Sequence, residues 1–186
     1  MAEVAHGHLC AGQILGVRMA VLGCRRLNVD EPRGKDRKRL VTFVEIDRCA
    51  TDAIGVVTGC RLGKRALKFR DWGKMAATFV DLAHGRALRI AALESSKARA
   101  KELYPEIENK NQQQMKAYRE MPDEELFAEQ WVTVKLDPGE FPGFKGARIA
   151  CAECGEGINY DRFVRRDGRT LCFSCAAPEE RYYQPL

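Results

Sequence analysis

Histidine and tryptophan are scarce: the 186-residue chain holds three of the first and two of the second, and aromatics make up 8% of it. Long apolar runs are missing altogether, and none approaches the ~20 residues that a membrane-spanning helix needs. The early apolar stretch Ile14-Leu15-Gly16-Val17 is cut by Arg18 and preceded by His6 and His8. Neither a signal peptide nor a membrane span is therefore expected, and the cytoplasm is the default location. A phosphate loop is excluded as well. Lys64 and Lys74 both follow glycine, but neither stands in the G-x-x-x-x-G-K-[ST] frame that cradles a nucleotide.

Cysteine, by contrast, is plentiful, with eight in the chain. Cys151/Cys154 and Cys172/Cys175 form two Cys-x-x-Cys pairs separated by seventeen residues, the spacing of a structural zinc site. Four thiolates on one Zn²⁺ replace the core that so short a segment cannot build, because metal binding adds its free energy directly to folding. The intervening residues agree. Gly155 and Gly157 suit a knuckle, Asp167-Gly168 reads as a hairpin turn between Phe163-Val164 and Thr170-Leu171, and the second pair opens a short helix or closes a ribbon. Disulfide and redox-active readings compete with zinc. The expected intracellular setting argues against the first, and the lack of a thioredoxin-type strand-helix unit argues against the second.

The formal charge of +5 invites a nucleic-acid reading, which the distribution of charge tests. From Cys151 onward there are five arginines against six acids, so the zinc module offers phosphate no electrostatic footprint. The densest basic run, Arg33-Gly-Lys-Asp-Arg-Lys-Arg39, reads as a solvated loop rather than a phosphate grip. Nucleic acid is thus not expected as a partner.

Composition predicts helices over Leu9–Leu27, Asp52–Cys60, Glu94–Leu103 and Gln112–Arg119, with another starting at Pro122. It predicts strands over Leu40–Ile46 and Trp131–Leu136, an extended Lys64–Phe69, and a hairpin of Met75–Leu82 with Ala87–Leu93 across His84-Gly85, the second segment being readable also as a helix start. The fold class is α+β: a mixed helix and sheet core domain at 1–146, then a linker rich in Pro and Gly, with a Cys₄ zinc finger at 147–186.

Four cysteines lie outside the finger. Cys10 follows His6 by four residues, which places them on one face if the segment is helical, and His8 joins them if the chain is irregular at Gly7. Cys49 stands between a strand and a helix, where the helix N-terminus is expected to lower a thiol pKa. Cys60 ends that helix, and Cys24 reads as packing. A cluster of His6, His8, Cys10, Cys49 and Cys60 could hold a second, soft or borderline metal with an open position. The alternative is surface histidines and buried structural cysteines.

The segments His6-Gly-His-x-Cys-x-Gly12, Asp47-x-Cys-x-x-Asp-Ala-Ile54, Thr58-Gly-Cys-x-x-Gly-Lys64 and Asp71-x-Gly-Lys74, in this order, resemble the FmdE family, named for the E subunit of formylmethanofuran dehydrogenase. That resemblance covers about the first 85 residues by motif and extends to the added zinc finger. It implies an α+β core, an intertwined homodimer, a treble-clef finger, and a functional pocket lined by His8, Cys10, Cys49 and Cys60. Arg61, Arg65 and Trp72 depart from the family pattern. The tungsten- or molybdenum-pterin and iron-sulfur chemistry of that dehydrogenase belongs to its other subunits, and this chain has no C-x₂-C-x₂-C-x₃-C run. Alone it is not that enzyme.

Three functions follow as expectations. The first is a metal-binding accessory or subunit-like protein of one-carbon metabolism, with zinc in the finger and a small ligand or partner subunit at the core pocket. The second is an enzyme in its own right, with Cys10 or Cys49 as nucleophile, or with a metal-activated water and Asp52 or His8 as base. The third is a zinc-finger regulator of nucleic acid, which the neutral finger disfavours.

Overall fold

A computed structural model describes residues 2–184. The chain divides into two compact units, residues 1–135 and residues 136–186.

The first unit opens with α1 (Ala2–His6) and α2 (Ala11–Arg26). A parallel β-α-β step follows, made of β1 (Leu40–Val44), α3 (Cys49–Thr58) and β2 (Leu67–Phe69). Next come the antiparallel strands β3 (Ala76–Asp81) and β4 (Arg86–Ala92). Then α4 (Ser95–Leu103), α5 (Lys110–Glu120) and α6 (Asp123–Leu126) lead into β5 (Phe127–Val132). Among the described residues these strands make one sheet in the order β2-β1-β3-β4-β5. Central β3 is buried along its whole length.

Helix α2 is the keystone, and its glycines explain how it packs. A mid-helix glycine costs about 1 kcal/mol relative to alanine, so close approach must compensate. A Cβ on Gly16 would lie 2.4 Å from the Ala50 carbonyl oxygen, and one on Gly23 would lie 2.5 Å from the Phe79 ring. Gly16 therefore lets the α2 and α3 backbones touch, while Gly23 admits the Phe79 side chain from β3. On the α5 side, Arg18 donates to the Tyr118 carbonyl (2.9 Å) and to that of Met121, then pairs with Asp123. That guanidinium satisfies carbonyls which the end of α5 leaves unpaired. Met19, Leu22, Leu40, Ile54, Phe79, Leu88, Ile90 and Tyr118 are all but completely buried around this frame.

Three sequence expectations shift. The last strand runs over Phe127–Val132, not Trp131–Leu136, pairing Phe127 with Ala92 and Val132 with Ala87. Phe127 is buried in the core, and burying it sets the register, which the β-rich composition farther along could not reveal. Helix α6 is accordingly a single turn. The stretch Lys64–Phe69 is extended only from Leu67, because 62–64 is a 3₁₀ turn and Arg65 is left-handed at φ 57°. The basic run before β1 is partly anchored: Arg39 binds Asp36 (3.0 Å) and the fully buried Asp81 (2.9 Å).

The second unit contains β6 (Arg148–Ala150) paired with β7 (Gly157–Asn159), and β8 (Phe163–Arg166) paired with β9 (Arg169–Cys172), then α7 (Phe173–Ala176). Its buried apolar cluster comprises Cys151, Ile158, Leu171 and Ala176. At the β8-β9 turn Asp167 and Gly168 have φ of 49° and 72°, the pair of positive values of a type I′ hairpin. Gly155 closes the first cysteine knuckle at φ 75°.

Candidate metal centres and adjoining cleft

In the finger, one sulfur from each of Cys151, Cys154, Cys172 and Cys175 lies within 4.8 Å of the others. Knuckle, hairpin and short helix bring the two pairs together in the order a treble clef uses. The donor chemistry fits zinc. The backbone N–H of Cys172 donates to the Cys151 sulfur at 3.3 Å. The N–H groups of Cys154 and Cys172 draw the Cys151 thiol down to about 6. Neighbouring Cys172, together with burial, pushes Cys175 up to about 12. Four crowded thiols cannot all ionise without a cation, and a bound Zn²⁺ supplies the missing charge. Arg181 donates to the Ser174 carbonyl (2.6 Å) and to the Cys175 sulfur (3.5 Å), tying the last turn to the ligand set.

The second cluster lies in the first unit and joins His6, Cys10 and Cys49, whose donor atoms are also within 4.8 Å of one another. Three short elements deliver them. His6 ends α1, Cys10 is the N-cap of α2, and Cys49 opens α3 beyond the carboxyl end of β1. Gly12 lies beside the meeting point: a Cβ there would stand in ordinary contact with Cys49 Cβ at 3.5 Å and Cys10 Sγ at 3.8 Å. Asp52, one turn into α3, accepts a hydrogen bond from His6 Nδ1 at 2.8 Å. An imidazole that donates from Nδ1 keeps its lone pair on Nε2, and carboxylate-held histidines of this kind are common in zinc sites. Two sulfurs and one imidazole would leave a tetrahedral metal, if held here, one position short of closure.

Not every expected member joins them. His8 is exposed and stacks against His6, with ring centroids 4.8 Å apart. Cys60 is buried elsewhere: its thiol donates to the Leu40 carbonyl (3.6 Å) and accepts from Thr42 Oγ1 (3.5 Å). Cys24 is buried too, and desolvation with the nearby Cys60 pushes its thiol up to about 12. The expected lowering of the Cys49 pKa is reversed. Burial, and then the hydrogen-bonded Cys10 thiol, raise it, outweighing the helix N-terminus.

Of the residues expected in one core pocket, Cys60 instead lines a cleft of about 370 Å³ beside α3. Thr51, Asp52, Gly55 and Val56 form one wall, and Cys60, Arg61, Leu62 and Leu67 form the other. The pattern Asp52-x-x-Gly55, with Arg61-Leu62 following the helix, is the signal that was available.

The architecture and both cysteine clusters define a class: an α+β domain with a His/Cys site at a strand-to-helix junction, followed by a C4 zinc finger. A family model described as FmdE, molybdenum formylmethanofuran dehydrogenase operon, matches residues 5–128, and another described as the prokaryotic dksA/traR C4-type zinc finger matches residues 145–181. The chain belongs to the FmdE family. A curated relative from Archaeoglobus fulgidus, described as a probable S-adenosyl-L-methionine-binding protein, is 32% identical over 203 residues. That alignment takes in 94% of this chain and 51% of the relative, so the chain spans about half the relative's length. The crystal structure of a tungsten formylmethanofuran dehydrogenase FmdE-like protein from Syntrophus aciditrophicus shares the fold. Its TM-score is 0.64 at 21% identity, over 96% of this chain and 90% of that one.

Proposed function

We infer that this chain is a two-metal FmdE-type accessory protein. Structural zinc folds the finger, and His6, Cys10 and Cys49 hold a second metal whose open position takes a small ligand or a group from a partner subunit. The observation that carries this reading is the convergence of three donors from three separate elements, with Asp52 orienting His6. A role beside a formylmethanofuran-type or other one-carbon enzyme follows from family membership, and a homodimer in the cytoplasm is the form proposed for it. An independent enzyme is the second reading. It would use Cys10 or Cys49 as nucleophile, or a metal-activated water with Asp52 or His8 as base.

Cobalt(II) substitution tests the core site. Full occupancy gives thiolate-to-cobalt charge transfer from both sites, and Cys10→Ser/Cys49→Ser removes the part belonging to the core. An unchanged spectrum in that variant would rule out the core metal.

A further inference from the structure

The geometry points to the cleft beside α3 as a binding site for the zwitterionic head of an apolar α-amino acid, or of a molecule that ends in one. This deepens the core-site reading and rests on it through Asp52, which serves both the cluster and the cleft.

Three features of the wall residues specify that ligand. Asp52 presents a carboxylate whose Oδ2 is taken by His6, while among the described residues Oδ1 accepts no hydrogen bond. Arg61 faces the same cleft, and among the described residues no carboxylate pairs with its guanidinium. A simple anion would be repelled by Asp52 and a simple cation by Arg61. A ligand that carries an ammonium and a carboxylate on one carbon satisfies both, and the guanidinium fork suits the carboxylate geometry.

Between the charges the lining is aliphatic: Val56, Leu62 and Leu67. Leu62 is 66% exposed, a large apolar side chain left in water at the rim of a concave site. Gly55 keeps the α3 wall close to the chain that follows it: a Cβ there would stand 3.2 Å from the Cys60 carbonyl oxygen.

The frame is fixed rather than loose. The Arg61 carbonyl accepts three backbone N–H groups, from Lys64 (3.1 Å), Ala66 (3.3 Å) and Leu67 (3.2 Å). On the opposite wall, Thr51 Oγ1 donates to the Ile46 carbonyl at 2.5 Å, and the cap N–H of Gly59 reaches Gly55. Two rigid walls bearing opposite charges cost little reorganisation when a ligand enters.

The test is isothermal titration of the full metal-loaded protein with L-methionine, beside N-acetyl-L-methionine, which lacks the ammonium, and L-methioninamide, which lacks the carboxylate. L-Methionine is expected to bind once per chain, and each analogue at least ~10-fold more weakly, as loss of one charge-assisted contact predicts. In Arg61→Gln, L-methionine is expected to weaken to the level of the amide, while the amide itself is unaffected. Equal binding of all three probes overturns the proposal. So does unchanged methionine binding in Arg61→Gln, or no saturable binding up to ~10 mM, beyond the millimolar range of a weak ligand. Metal content measured on the same samples separates the two readings: a Cys10→Ser/Cys49→Ser protein that loses no metal would overturn the core metal site and leave the methionine result standing.

Discussion

The two units of this chain reach a folded state by opposite routes. In the first, helix α2 is enclosed by a sheet and two further helices, and side chains such as Tyr118, Phe79 and Met19 leave water almost completely. Burial of apolar area is its main driving force. In the second, the buried apolar cluster comprises Cys151, Ile158, Leu171 and Ala176, a set that includes one of the ligands themselves. So small a core cannot offset chain entropy, and the metal must. The difference teaches what a metal would do in each unit. In the finger four thiols would saturate a tetrahedral ion that the fold needs, whereas the metal proposed for the core would sit on a scaffold with an apolar core of its own.

Chelation should break the comparison most sharply. Structural zinc contributes on the order of 10–16 kcal/mol to such modules. Stripping metal from the full chain should therefore collapse the amide dispersion of residues 148–176 in a heteronuclear NMR spectrum and leave that of residues 40–92 in place. Loss of dispersion in both would mean that the first unit also depends on metal to fold.

The next largest effect falls on the first unit alone. Asp81 is fully buried at the end of β3, where it binds Arg39 (2.9 Å) and His84 (2.6 Å) and accepts the Ala83 N–H. Breaking one side of such a pair costs about 3–5 kcal/mol, so Asp81→Asn should lower the urea midpoint of the core transition and spare finger zinc. Burial raises the Asp81 pKa, but Arg39, His84 and the Ala83 N–H outweigh it, so the net shift is downward. A depressed folded value means the stabilisation is present above the unfolded carboxyl pKa and is lost as pH falls through the folded one. The acid side of the stability profile should therefore flatten in Asp81→Asn.

Gly16→Ala sharpens the contrast in another way. The added Cβ meets the Ala50 carbonyl at 2.4 Å, and overpacking of this kind costs about 1–3 kcal/mol. Because α2 carries Cys10 at its start and α3 carries Cys49, the strain separates the two thiols. Core metal affinity should fall while finger occupancy, read by metal analysis, stays the same. The mildest change is Asp52→Asn, which keeps the fold but weakens the orientation of His6. A loss of about 10–100-fold in core metal affinity is expected, measured by competition with a chromophoric chelator, and an unchanged affinity would show that Asp52 does not position the ligand.

The two units also differ in how much of them the sequence discloses. Local chemistry settled the finger: cysteine spacing gave its ligands, and Asp167-Gly168 gave its turn. It also located the β3-β4 hairpin, since a turn at His84-Gly85 is a short-range signal. What stayed hidden was long-range. The position of β5 depends on Phe127 finding the core opposite Ala92, and the buried Arg39–Asp81 pair joins residues that look like separate solvated charges in the chain. At the core site the motifs named His6, Cys10, Cys49 and Asp52, but not that Cys60 would be buried away from the other donors or that His8 would pack against the His6 ring. The direction of the Cys49 pKa was also out of reach, because burial competes with the helix N-terminus and burial is a tertiary property.

Metal stoichiometry of the anaerobically purified full chain, set beside its Cys10→Ser/Cys49→Ser variant, tests the central claim most directly. Two metals per chain are expected in the first and one in the second, with the remaining ion in the finger. One metal in both would contradict the claim, leaving the finger as the metal site and the core as a domain that works through its cleft and thiols.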